Sequence, residues 1–302
     1  MITERRLEEL RQNAVPMQPE RGYYGLPLLK EPVWTWEVPA YFFVGGAAGA
    51  AAMVGAAAQI AGADPDLVRD ARWIAGAGAA ISAPLLIADL GRPERFLNML
   101  RVFKVQSPMS VGVWTLTAFG TFASAALFAQ EIQKRTDLPV RVIGNAAAML
   151  SAATGLVMAT YTGVLIGATA IPVWSKHVSV LPVHFGTSAL ASAVSLLELA
   201  GHRASALNIL GFVAAAVETY LGYKMDLDPT ITTRAGQFFS GPLPMLLRIA
   251  RSRKAAAASS LLGSLMTRLA WIEAGRTSSR DLRVPLALDG RHAAGIGKTI
   301  GE

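Results

Sequence analysis

The sequence predicts an all-α polytopic membrane protein with about seven to eight transmembrane helices. Three observations carry that reading. Hydrophobic residues fill 52% of the 302 positions. Charged residues fill only 16%, against about 25% in soluble domains. The apolar residues also come as long runs rather than as one periodic helix face, and about 20 in a row cross a hydrocarbon core. Helices follow because a helical backbone satisfies its own hydrogen bonds in lipid.

Met1 to Lys30 is polar and charged, with no apolar run of the kind a cleaved leader carries, so the first membrane helix is expected to direct insertion. Seven spans follow, at residues 38–61, 71–89, 111–130, 142–170, 179–200, 205–223 and 255–273. No charge occurs from Val142 to Ser175, a stretch too long for one upright helix, so its end is expected to bend near Pro172. Phe238 to Ala250 is apolar but interrupted by Pro242, Pro244 and Arg248, and reads as interfacial or re-entrant. Gly45-x-x-x-Gly49 and Gly163-x-x-x-Gly167 read as close helix contacts. The seven-span topology puts twelve cations on the N-terminal side and six on the other, a bias toward a cytoplasmic N-terminus.

The absence of cysteine excludes disulfides, thiolate zinc sites and Fe–S ligation by this chain. Of its four histidines, His184 and His202 close opposite ends of one stretch, roughly 27 Å apart on a helix, too far to share a haem. The net charge of +7 is spread over short connections rather than one patch, which argues against nucleic acid as a partner. No nucleophile–base pair, phosphate loop or dinucleotide fingerprint is present.

A few polar positions stand out. Glu37 and Tyr41, four apart at the first helix entrance, share a face where a carboxylate and a phenol could hydrogen-bond a quinone head and pass protons. Tyr161 sits inside the fourth span, where its hydroxyl needs a neighbouring helix or a ligand. Glu218, inside the sixth span, is expected to face a polar site or relay protons. Glu198 and His202 are expected to face interfacial water, Arg268 to snorkel to a membrane edge, and Asp89 to pair locally with Arg92. The loop after the second span is over-specified for a turn. It carries Asp89-Leu90-Gly91-Arg92-Pro93-Glu94-Arg95-Phe96, Arg101-Val102-Phe103-Lys104, Ser107-Pro108-Met109-Ser110 and Gly112-Val113-Trp114, and reads as a docking surface.

These residues resemble the polysulfide reductase membrane subunit, or NrfD-like, family. The likeness rests on Trp34-x-Trp36-Glu37-x-Pro39-x-Tyr41 with Gly45-Gly46, on the loop just quoted, and on Tyr161-Thr162-Gly163 followed by Ala170-Ile171-Pro172-Val173-Trp174. It extends from Arg268 through Ala274-Gly275 to Ser279-x-Asp281, covering about residues 23 to 283. The resemblance implies a quinone-reactive subunit of a multi-subunit oxidoreductase in a prokaryotic cell membrane. The quinone, menaquinone or ubiquinone, would lie in a first four-helix bundle. Tyr41 and Tyr161 would contact it, with Glu37 beside the first; apart from the resemblance, Glu37 is expected to exchange protons and Glu218 to lie on a proton route. An Fe–S electron-transfer subunit, linked to a catalytic subunit of the molybdopterin kind, would dock on Asp89, Arg92, Arg95, Arg101 and Lys104. No haem, metal or Fe–S cluster is expected in the chain itself. The implied organisation is a polar segment at 1–33, a first bundle at 34–174 containing the docking loop 89–114, a second bundle at 175–276 and a polar tail at 277–302. The family commonly has eight helices where this sequence offers seven convincing spans. Two rival readings are a structural anchor without its own quinone site and a secondary transporter; the paired broken helices of the latter are not evident.

Overall fold

The computed structural model describes residues 29–225, 227 and 230–280. The chain divides into two compact units, residues 33–275 and the two termini, 1–32 with 276–302. Most of the terminal unit, including Asp281, lies outside the described residues; within it Arg280 forks onto Glu31 at 2.8 and 3.1 Å.

Eleven helices occur among the described residues: α1 (Glu37–Ile60), α2 (Pro65–Asp89), α3 (Pro93–Met99), α4 (Pro108–Arg135), α5 (Arg141–Gly167), α6 (Pro172–Lys176), α7 (Leu181–Leu199), α8 (Ser205–Lys224), α9 (Ile231–Ser240), α10 (Pro242–Ile249) and α11 (Arg253–Arg280). Prolines at the first turn open many of them, where a missing N–H costs nothing. Asp64 caps α2 by accepting from the Asp66 amide, and Ser107 caps α4 by accepting from Ser110.

Among the described residues, six helices are long and apolar enough to cross a membrane: α1, α2, α4, α5, α8 and α11. The fold is therefore all-α and multi-pass, and all seven apolar stretches are helical. The remaining stretch, α7, is 19 residues long but falls outside the six because it carries His184, Thr187, three serines and Glu198. Those groups are tolerated because α7 is packed among α1, α5 and α8. The bend expected near Pro172 is present: α5 stops at Gly167 and Pro172 opens the short α6.

Residues 231–249 are the part that sequence periodicity resolves least. They form two helices broken at Gly241, running antiparallel to α8. Gln237 Nε2 donates to the Gly222 carbonyl at 3.2 Å, Gly241 lies against Thr219, and Arg248 Nη1 reaches Asn208 at 3.1 Å. Against α11 the same pair advances from Gly236 beside Thr267 to Phe239, whose carbonyl accepts from Ser259 at 2.9 Å. Together α9 and α10 rise roughly 28 Å, so they return the chain along the length of α8. One consequence is that Arg251, Arg253 and Lys254 come to lie at the Arg203 end, which weakens the charge bias counted above.

The first four long helices pack as α1 on α2, α2 on α4, α4 on α5 and α5 on α1. The α1–α5 crossing is glycine-on-glycine: a Cβ built on Gly155 would lie 2.6 Å from the Gly49 carbonyl oxygen. Gly163 and Gly167 similarly admit the α7 entrance, at Leu181 and Val178. Aromatic packing closes the end where α1 begins: Trp34 stacks on Trp174 with centroids 5.4 Å apart, and Trp174 donates to the Trp271 carbonyl at 2.8 Å.

Candidate functional site

At that end, α1, α2, α4 and α5 diverge around a cleft of about 500 Å³. Its walls are apolar, from Val38, Phe42, Leu85, Leu86, Val113 and Leu165. Three polar side chains enter it: Tyr41, Asp89 and Tyr161. Apolar walls with a few convergent polar groups are the usual lining of a small-molecule site.

Tyr41 and Tyr161 come from opposite sides of the bundle and are 120 positions apart in sequence, yet both are buried. Their hydroxyls are poorly satisfied. Tyr41 reaches only the Met158 sulfur, at 4.0 Å, a weak acceptor. Tyr161 makes no hydrogen bond among the described residues; its hydroxyl rests against the Cα of Gly112. Glu37 opens α1 and accepts from the Thr35 hydroxyl. It is half-buried and does not line the cleft. It lies close enough to Asp89 for their charges to interact. The carboxylate that the structure brings to the two tyrosines is thus Asp89.

The 89–114 loop closes the cleft. Gly91, at φ 68°, turns the chain out of α2, and Arg95 Nη1 ties the turn by donating to the Leu90 carbonyl at 3.0 Å. Ser110 Oγ accepts from the Lys104 amide at 3.1 Å and donates to the Val102 carbonyl at 3.2 Å, pinning the loop to the top of α4. Leu90, Met99 and Met109 face the cleft. On the outside, Arg92, Arg95, Arg101 and Lys104 are exposed, beside exposed Leu97, Val102, Phe103 and Val105. Asp89 does not pair with Arg92: it turns toward the cleft while Arg92 stays outside.

Gly112 is a site residue that sequence reasoning quoted without giving it a role. The Tyr161 ring occupies the space a Cβ would need. We expect Gly112→Ala to push Tyr161 aside, weakening binding of any ligand held in the cleft about tenfold while lowering stability by about 1–3 kcal/mol. Ligand titration and thermal unfolding of the purified variant measure both.

In the second half of the unit, Glu218 is 1% exposed and lies 3.2 Å from His184 Nδ1, without the alignment of a hydrogen bond. The two line a small cavity of about 290 Å³ with Thr233, Gln237, Thr267 and Trp271. Arg268 is fully buried and does not snorkel. Its guanidinium donates to Ser188 Oγ at 2.7 Å and to Ser264 Oγ at 2.9 Å, and lies over the Phe185 ring. Nor does Glu198 face water. It is 3% exposed and gripped by both Arg248 terminal nitrogens at 2.7 and 2.8 Å, and His202 Nε2 meets Asp70 at 2.9 Å. The physical reason is common to all three: each has a partner on another helix, which no local spacing reveals.

These groups share a line. His184, Ser188, Ser192, Ser195 and Glu198 recur at three- and four-residue spacing on α7, and all are buried. This polar stripe, roughly 21 Å long by helix rise, was the missed signal in an otherwise apolar stretch.

The fold defines a multi-pass helical membrane protein with an apolar cleft at one end of its first four long helices. The family model for polysulphide reductase, NrfD, matches residues 28–223, and the chain belongs to this family. The family comprises membrane subunits of quinone-reactive oxidoreductases. No curated protein matches the chain. The sequence contains no cysteine, and no group of three or more metal-ligating side chains occurs among the described residues.

Proposed function

We propose that the chain exchanges electrons and protons between a membrane quinone or quinol and an Fe–S subunit docked on the 89–114 loop, itself serving a catalytic subunit of the molybdopterin kind, in a prokaryotic cell membrane. The observation that carries this reading is the convergence of two under-satisfied tyrosine hydroxyls and one carboxylate on a single apolar cleft. The residues present fit a quinone head: flat apolar walls hold a ring, and hydroxyls on opposing helices suit oxygens at its two ends. A bound quinone would supply a two-electron, two-proton couple, its electrons leaving to or arriving from the docked partner. Tyr41 and Tyr161 orient the ring by donating to its oxygens. Asp89, with Glu37 behind it, takes up or returns protons at the mouth of the cleft. Exposed Arg92, Arg95, Arg101 and Lys104 supply the charge that recognises an acidic partner face. Glu218, paired with His184 at the head of the α7 stripe, is the proposed proton route through the second bundle, which extends from 175 to 276 beyond the first at 34–174.

Turnover of a quinol analogue by the assembled complex tests the site. Tyr41→Phe and Tyr161→Phe each remove one hydrogen bond and should raise KM about three- to tenfold, and Glu37→Gln should lower kcat. Wild-type kinetics in all three, with assembly intact, would remove the cleft from consideration. Loss of assembly on Arg92→Glu or Arg95→Glu, with no quinone bound by the purified chain, would leave a structural anchor.

A further inference from the structure

At the end of the helices opposite the cleft, a second concavity of about 920 Å³ opens between the α7–α8 turn and the α10–α11 turn. Its lining is almost wholly polar: Glu198, His202, Arg203, Arg251, Ser252, Arg253 and Lys254. The charges within it do not cancel. Glu198 is consumed by Arg248 and His202 by Asp70. Arg253 holds the turn together, donating to the Arg203 carbonyl at 2.8 Å. Arg203, Arg251 and Lys254 are exposed and have no carboxylate partner among the described residues.

Arg251 carries further weight because of its backbone. The α7 and α10 helices end in the same way. After α7, the His202 amide donates to Leu197 at 3.1 Å and the Gly201 amide to Glu198 at 3.2 Å. After α10, Ser252 donates to Leu247 at 2.8 Å and Arg251 to Arg248 at 3.0 Å. This double bond pattern places one residue in the left-handed region, where glycine is strongly favoured. At α7 that residue is Gly201, φ 109°; at α10 it is Arg251, φ 61°, the one non-glycine of positive φ among the described residues. A long cation is held at a position that costs a side chain stability, on the wall of a cation-rich cleft.

We infer that this cleft binds the headgroup of an anionic phospholipid. The phosphodiester would sit among Arg203, Arg251 and Lys254, at the first turn of α11, whose unpaired N–H groups favour an anion. The setting selects a lipid over a soluble anion: exposed Leu199 and Ile249 flank the cleft on the helix ends, where acyl chains would lie. The site is separate from the quinone reading and does not depend on it.

The test uses the full chain in nanodiscs of phosphatidylcholine containing a minority of phosphatidylglycerol. The protein is then released into mild detergent and weighed by native mass spectrometry. The wild-type chain should retain phosphatidylglycerol selectively. Arg251→Gln with Lys254→Gln should retain about tenfold less, and Arg203→Gln alone should retain several-fold less, with helix content unchanged by circular dichroism. Arg141→Gln, at the same end but outside the cleft, should behave as wild type. Equal retention by wild type and both cleft variants, no preference for phosphatidylglycerol over phosphatidylcholine, or displacement of the lipid by inorganic phosphate alone would overturn the proposal.

Discussion

Replacing Arg248 alone with Met will destabilise the protein by about 3–5 kcal/mol, because it strands a buried carboxylate. Both Glu198 oxygens now accept from one guanidinium, which also reaches Asn208, and neither side chain is more than 1% exposed. Glu198→Gln in the same background should restore most of the loss, since a neutral amide costs far less to bury unpaired than an ion does. Thermal unfolding of the two singles and the double closes the cycle. Additive losses would show that the pair is not coupled. Gly211 has its own part here: its missing Cβ is the space the guanidinium fills, so the pair depends on a glycine from a third helix.

Asp89→Asn should lower quinol-analogue turnover by about a hundredfold to ten-thousandfold, with little change in KM and no loss of assembly. The amide keeps the shape and hydrogen-bonding capacity of the carboxylate but exchanges no proton. Asp89 is the one titratable carboxylate among the residues lining the cleft. Read from sequence, it belongs with Arg92 and Arg95 in a docking surface. That role predicts the opposite pattern: failed assembly, with normal turnover in whatever complex forms. Measuring subunit stoichiometry and kcat on the same preparation separates the two.

The apolar stretches were legible because length and hydropathy are local, and each is a helix. The loop was legible as unusual because its prolines, cations and glycine are contiguous. What sequence could not show was who meets whom. Glu198 and Arg248 stand 50 positions apart, and Arg248 lies in a segment whose prolines disguise a helix. The return of the chain through α9 and α10 is set by the break at Gly241, and a short apolar run beside two prolines carries no sign of its direction. Arg268 is tolerated inside the bundle because Ser188 and Ser264, from two helices, accept from its guanidinium. The tyrosines were visible as polar residues in apolar helices; their convergence on Asp89 required the packing of α1, α2 and α5.

The 89–114 segment, with α3 inside it, has two faces. Met109 touches the cleft on its inner side, while Phe103, edge-on to Trp114, is exposed on its outer side. A carrier pressed against that outer surface would be separated from a ring in the cleft by this segment. Tunnelling falls off steeply with distance, so the separation this one segment sets would bear on the rate at which electrons pass. A substitution that thickened the loop, even on its solvent side, would act as an insulator without touching either the cleft or the partner.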